Sequence, residues 1–284
     1  MAADPSRAVL ITGCSTGIGR ATAERMASKG WTVYATARRP DSIADLAEKG
    51  CRTLALDVTD EGSMTAAIAS VEAEAGRVGA LVNNAGYGLE GAAELTSMDD
   101  IRRQFETNVF GLIRMCQLVL PGMRRQRWGR IVNISSVGGK LAFPGGAYYH
   151  ATKHAVEGFS DVLRFEVARF GVRVVIVEPG LIKTAFGDTA TAPIDSKGAG
   201  PYAEFNQAVA KRVSGAYEGL MGRLAVGPEA VARVLERAIA SSRPRTRYRV
   251  TTGARISLAS RKLVPDRVWD AMMTMQFPRP KPSD

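Results

Sequence analysis

Through its first 180 residues the chain alternates short, almost wholly apolar runs with longer amphipathic segments. The apolar runs are rich in β-branched residues and show no polar alternation, as expected for strands buried on both faces. They comprise residues 8–12, 32–35, 53–56, 80–82, 130–134 and 172–177. The segments of helical periodicity between them include residues 18–29, 64–75, 101–125 and 151–170. This repetition predicts an α/β fold with a doubly wound, mostly parallel sheet and helices on both faces.

The regular alternation ends after Pro179 and Gly180. Residues 185–200 are rich in Gly, Pro and small polar residues and are too long for an ordinary connection, which predicts a mobile lid. Further helices are expected at 202–221, at 228–241 and from Pro265 onward, with a short strand at 248–250. We therefore expect one domain over residues 1–250, with its lid at about 185–221, and a basic C-terminal extension over 251–284.

The net charge of +10 is concentrated near the C-terminus, where residues 241–284 hold ten Lys or Arg against three Asp. A role at a polyanion would therefore belong to the extension. Nucleic-acid binding is disfavoured, because interleaved aromatic residues and a recognisable reading element are missing. The apolar stripe of Val264, Val268 and Met272 is expected to pack on the protein. The alternative for residues 243–281 is peripheral contact with an anionic membrane, through their Lys and Arg residues and the face of Trp269, Met272 and Phe277.

The sequence predicts a cytoplasmic protein. No run approaches the roughly 18 apolar residues of a spanning helix, and the N-terminus lacks the basic-then-apolar pattern of a signal peptide. Cys14, Cys51 and Cys116 are far apart and odd in number, which disfavours a disulfide framework and a CxxC metal or redox site. Reduced, mostly buried thiols are expected.

A glycine-rich segment, residues 12–19 (TGCSTGIG), follows the first predicted strand and opens the first helix. Glycines at 13, 17 and 19 would let the backbone turn tightly and approach a pyrophosphate, which a helix N-terminus favours. The spacing is GxxxGxG rather than GxGxxG or the P-loop pattern. The segment therefore predicts a dinucleotide-binding turn, with a plain glycine-rich turn as the alternative.

The residue after the second strand bears on the choice of cofactor. An acid at this point would hold a free ribose 2′-hydroxyl, but the chain has Arg38 and Arg39 there. A guanidinium pairs bidentately with phosphate, so Arg38 favours the 2′-phosphate of NADP(H) over NAD(H). Arg39 either assists or is a surface charge.

A second set of residues carries acid–base chemistry. Tyr149 and Lys153 form a YxxxK pair on one helix face, where the ammonium would lower the pKa of the phenol. A lower pKa matters because a tyrosine of pKa about 10 is a poor acid–base catalyst near neutrality. Ser136 lies thirteen residues before the tyrosine, at the end of another predicted strand.

With these motifs in order, the sequence resembles the short-chain dehydrogenase/reductase family, whose nucleotide-binding domain is a Rossmann fold. Further matching motifs are Leu56-Asp57-Val58, Asn83-Asn84-Ala85-Gly86, Asn108 and the run from Pro179 to Thr184. The resemblance covers about residues 7 to 250. The segments TGCSTGIG, VYATAR and SVGG resemble the branch that contains estradiol 17-beta-dehydrogenase and the retinol dehydrogenases.

The resemblance implies a role for each matching residue. Tyr149 would be the general acid or base, Lys153 would lower its pKa and bind the nicotinamide ribose, and Ser136 would donate to the substrate oxygen. Asn108 would hold a water that relays protons through Lys153. The cofactor residues implied are Gly13, Ser15, Thr16, Gly17, Ile18, Gly19, Arg38, Asp57, Val58, Asn84, Ala85, Gly86, Tyr149, Lys153, Pro179, Gly180, Ile182 and Thr184.

Other side chains near these motifs suggest an apolar substrate pocket. The candidates are Phe143, Tyr148, Leu181 and Phe186. Glu178 is either a polar substrate contact or a surface or loop acid.

A metal site at His150 and His154 is not expected. The pair lacks the glutamate of HExxH, and Lys153 between the two histidines would repel a cation.

The sequence thus predicts an NADP(H)-dependent oxidoreductase that acts on the alcohol/carbonyl pair of a lipophilic small molecule such as a steroid, a retinoid, or a fatty or aromatic carbonyl. The alternative is a non-enzymatic NADPH-sensing or scaffold protein on the same fold. The resemblance also implies a homodimer or homotetramer built through the helices predicted at 101–125 and 151–170.

Overall fold

The computed structural model describes residues 6–184, 200–215, 222, 225–261 and 263–280. The strands are β1 (Ala8–Ile11), β2 (Thr32–Ala37), β3 (Arg52–Ala55), β4 (Ala80–Asn83), β5 (Gly129–Ile134), β6 (Val172–Glu178) and β7 (Arg247–Arg249). They form one sheet in the order β3-β2-β1-β4-β5-β6-β7, and every neighbouring pair is parallel. The predicted doubly wound α/β fold is confirmed.

The helices of the described residues are α1 (Gly17–Ser28), α2 (Glu61–Ala75), α3 (Met98–Phe105), α4 (Gly111–Arg125), α5 (Ala147–Val167), α6 (Ala203–Ser214), α7 (Pro228–Ala240), α8 (Thr252–Arg261) and α9 (Asp266–Thr274). In these ranges no helix has the length and apolar character needed to cross a bilayer. The three cysteines are buried and unpaired, as predicted.

Two helix predictions need correction. The helix expected at 101–125 begins at Met98, capped by Ser97, and is divided by a π-turn at Glu106–Phe110 between α3 and α4. Helix α8 was not predicted, because its apolar residues have no clear helical spacing. The helix expected at 202–221 is observed as α6, whereas residues 216–221 and residues 185–199 of the predicted lid lie outside the described residues.

Alternate side chains of the central strand pack into two separate hydrophobic cores. Ala8 and Leu10 of β1 face the core formed with α2, α4 and α5, whereas Val9 and Ile11 face the core formed with α1 and α7. All four are almost completely buried, and each larger side chain contributes about 1.5–3 kcal/mol through burial. This burial on both faces explains the unbroken apolar runs in the sequence.

The C-terminal helix α9 packs through a different face from the one predicted. Met273 and Phe277 are buried, and the partly buried Trp269 packs with them. Val268 and Met272 of the predicted stripe are exposed. The residues that pack are still spaced four apart, but one position further along the helix. The extension therefore rests on the body of the protein.

Strand β7 completes a buried charge network. Arg247 lies 3.0 Å from Glu157, 2.5 Å from Asp161 and 3.3 Å from Glu178, and Arg249 lies 3.2 Å from Glu178. Glu157 and Glu178 are 2% and 0% exposed. Glu178 is therefore neither a surface acid nor a substrate contact, and two of the basic residues near the C-terminus neutralise acids inside the fold.

Arg247→Ala should lower the free energy of unfolding by about 3 kcal/mol, because it leaves two buried carboxylates with fewer countercharges. Urea denaturation followed by circular dichroism measures the change. Arg245→Ala, which removes an exposed arginine two residues earlier, is the matched control and should change stability by less than about 0.5 kcal/mol. Equal stability of the two variants would contradict the assigned role of Arg247.

Candidate active site

A cleft of about 1730 Å³ opens at the carboxyl ends of the strands. Its position follows from the strand order, since β4 pairs with β1 on the side opposite β2 and the connections after β1 and β4 diverge. Ligands of open parallel sheets bind at such a point of reversal. The volume exceeds the roughly 300–1,000 Å³ of an ordinary small-molecule pocket, so the cleft has room for a cofactor and a second ligand.

Glycines shape the turn that follows β1. Gly13 and Gly17 have φ angles of +72° and +60°, which residues with a Cβ rarely adopt. A Cβ at Gly19 would meet the carbonyl oxygen of Gly13 and lie 2.5 Å from Nδ2 of Asn84. Because the first N–H groups of α1 have no acceptor within the helix, this end of the cleft favours an anion such as a pyrophosphate. The turn therefore fits a dinucleotide.

Asn84 braces this turn from the β4 side. Its Nδ2 donates to the carbonyl oxygens of Thr12 and Gly13, both at 2.9 Å. The N–H groups of Asn84 and Ala85 donate to the Thr12 hydroxyl at 3.0 and 2.9 Å. The sequence placed Asn84 in the wall near the ribose, and the structure adds that its side chain holds the glycine turn in place.

Arg38 and Asp57 line the cleft where β2 and β3 terminate. Arg38 is exposed and directly follows β2. Oδ1 of Asp57 accepts hydrogen bonds from the N–H and the hydroxyl of Thr59, at 2.9 and 2.8 Å. Arg39 is also exposed, but it is not among the residues that line the cleft. Of the two arginines, Arg38 is thus the one placed to meet a ligand.

Tyr149 and Ser136 meet at the centre of the cleft, although they come from α5 and from the loop after β5. Burial raises the pKa of Tyr149 to about 12, while a hydrogen bond with Ser136 lowers it and the charge of Glu90 raises it. The Ser136 hydroxyl also accepts from the N–H of Gly138 at 3.0 Å, which fixes its position. At neutral pH the phenol therefore holds its proton.

Lys153 lies one helical turn beyond the tyrosine and is 6% exposed. Its Nζ donates to the carbonyl oxygen of Ile134 at 2.9 Å and lies 5.8 Å from the centre of the Tyr149 ring. Burial lowers the pKa of Lys153 to about 8, and the negative charge of Glu157 raises it. Lys153 is not among the groups that shift the pKa of Tyr149, so its predicted lowering of that pKa stays a prediction.

Asn108 occupies the π-turn between α3 and α4, a feature often found at functional sites. Its Nδ2 donates to the carbonyl oxygen of Tyr87 at 2.9 Å and to the Thr152 hydroxyl at 3.2 Å, and its Oδ1 accepts from the N–H of Tyr87 at 3.0 Å. The side chain thus joins the loop after β4 to α5. Its predicted water-holding role stays a prediction.

The structure brings most of the predicted site residues together. Those that line the cleft are Gly13, Ser15, Thr16, Gly17, Ile18, Arg38, Asp57, Val58, Asn84, Ala85, Gly86, Ser136, Phe143, Tyr149, Lys153, Pro179, Gly180, Leu181, Ile182 and Thr184. Gly19 and Asn108 are not among the residues that line the cleft. Phe186 lies outside the described residues.

Tyr148 is placed away from the cleft, contrary to its predicted contact with substrate. Its hydroxyl donates to the carbonyl oxygen of Ala93 at 2.9 Å, and it is not among the lining residues. The bond to Ala93 directs the Tyr148 side chain toward the loop before α3, so of the two adjacent tyrosines Tyr149 is the one that lines the cleft.

Sequence reasoning missed several lining residues. Leu141, Val209 and Phe277 add apolar surface near Phe143, and Glu90 adds a carboxyl group. Val209 and Phe277 come from α6 and from the segment after α9, far from the motifs in the chain, and only the packing of the extension reveals them. Glu90 carries no local signal beyond its place four residues after Gly86.

The two histidines make backbone contacts. Nδ1 of His150 lies 3.2 Å from the carbonyl oxygen of Gly138, and Nδ1 of His154 lies 2.8 Å from that of His150. Since a carbonyl oxygen only accepts, Nδ1 of His150 carries the proton. Within the described ranges, no group of three His, Cys, Asp or Glu is placed to hold a metal ion.

Comparisons with known proteins agree with this geometry. The family model described as short chain dehydrogenase matches residues 7–194. A 3-ketodihydrosphingosine reductase of Bacteroides thetaiotaomicron is 42% identical over 63% of this chain, and the match spans 65% of that relative, just under two thirds of its length. Human retinol dehydrogenase 5 is 35% identical, with 96% of this chain and 89% of the relative covered. The resemblance to the retinol-dehydrogenase branch is thereby confirmed.

Solved structures give the same result. A short-chain dehydrogenase from Streptomyces avermitilis is 36% identical and superposes with a TM-score of 0.76 over 96% of both chains. A serine dehydrogenase complexed with NADP+ is 30% identical (TM-score 0.75, 87% of this chain and 95% of the other). A 3-ketoacyl-(acyl-carrier-protein) reductase from Brucella melitensis complexed with NADH is 26% identical (TM-score 0.74, 87% and 97%). These two neighbours carry different nicotinamide cofactors.

His150 should remain neutral until the pH falls to about 4, because burial lowers its pKa to that value. Nitrogen-edited NMR of the two imidazoles measures this, with His154→Gln used to assign the signals. The unfolded chain takes up its proton near pH 6.5, so the contribution of His150 to stability is lost as the pH falls from 6.5 to 4. Titration of the folded protein near 6.5 would contradict the burial argument.

Proposed function

The chain belongs to the short-chain dehydrogenase family, and from that premise we propose an NADP(H)-dependent oxidoreductase that interconverts an alcohol and a carbonyl on a lipophilic substrate. The observation that carries the proposal is the convergence of Ser136, Tyr149 and Lys153 in the cleft beside the glycine turn. When bound, the nicotinamide cofactor supplies or accepts the hydride. Residues of the glycine turn would hold its pyrophosphate, and Arg38 would pair with its 2′-phosphate.

Tyr149 moves the proton. Because burial raises its pKa to about 12, the phenol is protonated at neutral pH, which is the form that donates to a carbonyl oxygen during reduction. Ser136, hydrogen-bonded to the tyrosine, donates to the same oxygen and stabilises the negative charge that develops there. In the oxidation direction, Tyr149 would first release its own proton to the relay through Lys153, and the resulting tyrosinate would then accept the proton of the alcohol.

Lys153 holds a positive charge beside this centre. With a pKa of about 8, it is mostly protonated at pH 7 and stabilises the tyrosinate that forms when Tyr149 gives up its proton. We assign it also to the nicotinamide ribose. Asn108, which is fixed by Tyr87 and Thr152, is assigned to the water that returns a proton through Lys153.

The substrate end of the cleft supports a lipophilic ligand. Leu141, Phe143, Leu181, Val209 and Phe277 form its walls, and burial of an apolar ligand against them is worth about 25 cal/mol per Å². The names of two relatives, ketodihydrosphingosine reductase and retinol dehydrogenase, agree with this class.

We also propose a homodimer or homotetramer that uses α4, α5 and the turn before α4. Phe110, Val162 and Phe165 on these elements are 53%, 59% and 84% exposed. Large apolar side chains clustered at a surface are typical of an interaction site.

Tyr149→Phe should reduce carbonyl turnover about a thousandfold, because it removes the general acid. NADPH oxidation at 340 nm with a panel of lipophilic ketones and aldehydes measures turnover, and fluorescence titration checks that NADPH still binds. Tyr148→Phe is the matched control and should keep full activity, since its hydroxyl binds Ala93. Full activity of Tyr149→Phe would overturn the mechanism. Tight NADPH binding by the wild type without turnover of any panel member would favour the non-enzymatic alternative.

Arg38→Ala should weaken NADPH binding by roughly tenfold to a hundredfold, the cost of losing a charged hydrogen-bond pair. NADH, which has no 2′-phosphate, should bind the variant and the wild type equally. Arg39→Ala serves as the control and should bind both cofactors as the wild type does. Equal affinity of the wild type for NADPH and NADH in the fluorescence titration would contradict the proposed preference.

A further inference from the structure

A carboxyl group stands in the cleft without a role in the proposed reaction. Glu90 lies on the loop after β4, between the buried Leu89 and Ala92, and its side chain lines the same cleft as Tyr149. Its charge raises the pKa of Tyr149, so the two side chains interact electrostatically within the cleft. The raised pKa of Glu90 is caused by burial, with no opposing hydrogen bond or ion pair from a described residue.

The loop that carries Glu90 is held rigidly. The N–H of Gly91 donates to the carbonyl oxygen of Gly145 at 2.7 Å, just before α5 begins. The N–H of Ala92 donates to Oδ1 of the buried Asn206 on α6 at 2.9 Å. These two bonds tie the loop to the helix that carries Tyr149 and to the helix that covers the substrate end. A carboxyl group on so constrained a backbone keeps a defined position relative to a bound substrate.

A second hydrogen-bond acceptor, Nε2 of His150, lies near the Glu90 carboxyl group. A Cβ built on Gly146 would lie 2.7 Å from Nε2 of His150 and 3.0 Å from Oε2 of Glu90, so the two atoms converge on one side of this glycine. Because Nδ1 of His150 carries the proton and donates to Gly138, Nε2 presents a lone pair. A carboxylate and an imidazole nitrogen together accept from one donor group with several hydrogens.

We propose that Glu90 and Nε2 of His150 form a subsite for a protonated amine that the substrate carries near the carbonyl served by Tyr149. An ammonium has three N–H donors and a positive charge. It can therefore donate to both acceptors and supply the countercharge that Glu90 lacks. The apolar walls of the cleft would receive the rest of the molecule. The inference rests on the proposed function for the carbonyl and adds the class of substrate, an amino ketone or amino alcohol with an apolar chain.

Burial of Glu90 is consistent with this subsite. Desolvation raises the pKa of the carboxyl group to about 7. The ionised form of Glu90 is therefore destabilised in the cleft unless a cation pairs with it. The cations Lys211 and Arg212 of α6 also line the cleft, but within the described ranges neither lowers the pKa of Glu90. An incoming ammonium would therefore meet a carboxylate whose charge no described neighbour satisfies.

Binding of octylamine and of 1-octanol, measured by calorimetry on the full chain with and without NADPH, tests the subsite without requiring turnover. At pH 7.5 the wild type should bind the amine at least about tenfold more tightly than the alcohol, since an ion pair in a low-dielectric cleft adds to their shared apolar contact. Glu90→Gln, which keeps the size and the acceptor oxygen but removes the charge, should abolish this preference. Glu94→Gln, which changes an exposed acid four residues away, should preserve it.

The wild type alone provides a second test, which remains valid if Glu90→Gln does not fold. Lowering the pH from 7.5 to 5.5 protonates Glu90 and should reduce the preference for the amine on the order of tenfold. Tyr149, with a pKa of about 12, and His150, with one of about 4, keep their charge over this range. Lys153, with a pKa of about 8, is already mostly protonated at its upper end.

Turnover extends the test to the reaction. The ratio of kcat/KM for an amino ketone to that for the matched ketone without the amine should fall at least about tenfold in Glu90→Gln and stay constant in Glu94→Gln. Equal binding of octylamine and 1-octanol by the wild type, or a preference that survives in Glu90→Gln, would overturn the subsite. An absence of turnover with any carbonyl would instead contradict the proposed function, while an amine preference in calorimetry would still support the subsite.

Discussion

At the carboxyl ends of β1 and β4 the backbone turns in different directions, and the hydrogen bonds around Thr12 hold the two turns together. The Thr12 hydroxyl accepts from the N–H groups of Asn84 and Ala85, and the Asn84 amide donates back to Thr12 and Gly13. Without this bracing the glycine turn would have no fixed position relative to β4. Gly19 permits the close approach, because any side chain there would displace the Asn84 amide. This junction places the glycine turn and the loop after β4, which line the cleft.

Desolvation dominates the electrostatics of the cleft. It raises the pKa of Tyr149 and Glu90 and lowers that of Lys153 and His150, so each group is pushed toward its neutral form. The opposing contributions come from Ser136, which lowers the pKa of Tyr149, from the Gly138 carbonyl, which raises that of His150, and from Glu157, which raises that of Lys153. A bound cation would lower the pKa values of Glu90 and Tyr149, and a bound anion would raise those of Lys153 and His150, so ligand binding is coupled to the protonation of these groups.

The network behind α5 links the stability of the fold to the site. Glu157 is one helical turn from Lys153 and is paired with Arg247 of β7 and with Lys140. The same arginine contacts Glu178, the last residue of β6. Buried ion pairs of this kind add little net stability, but removing one partner is costly. The last strand of the sheet therefore supports the helix that carries the tyrosine and the lysine, and it does so through two of the ten basic residues near the C-terminus, Arg247 and Arg249.

The sequence by itself determined the sheet, the glycine turn and the Ser136, Tyr149 and Lys153 set, because these depend on local patterns: apolar runs, a tight turn and a spacing of four on a helix. Only the tertiary structure decided which of two adjacent tyrosines lines the cleft, that Glu178 is buried, and that Glu90 and His150 both lie beside Gly146. It also decided that α9 packs through Trp269, Met273 and Phe277 rather than through the stripe of Val264, Val268 and Met272. Such contacts join residues distant along the chain, and their energies depend on burial and on neighbours that no local pattern encodes.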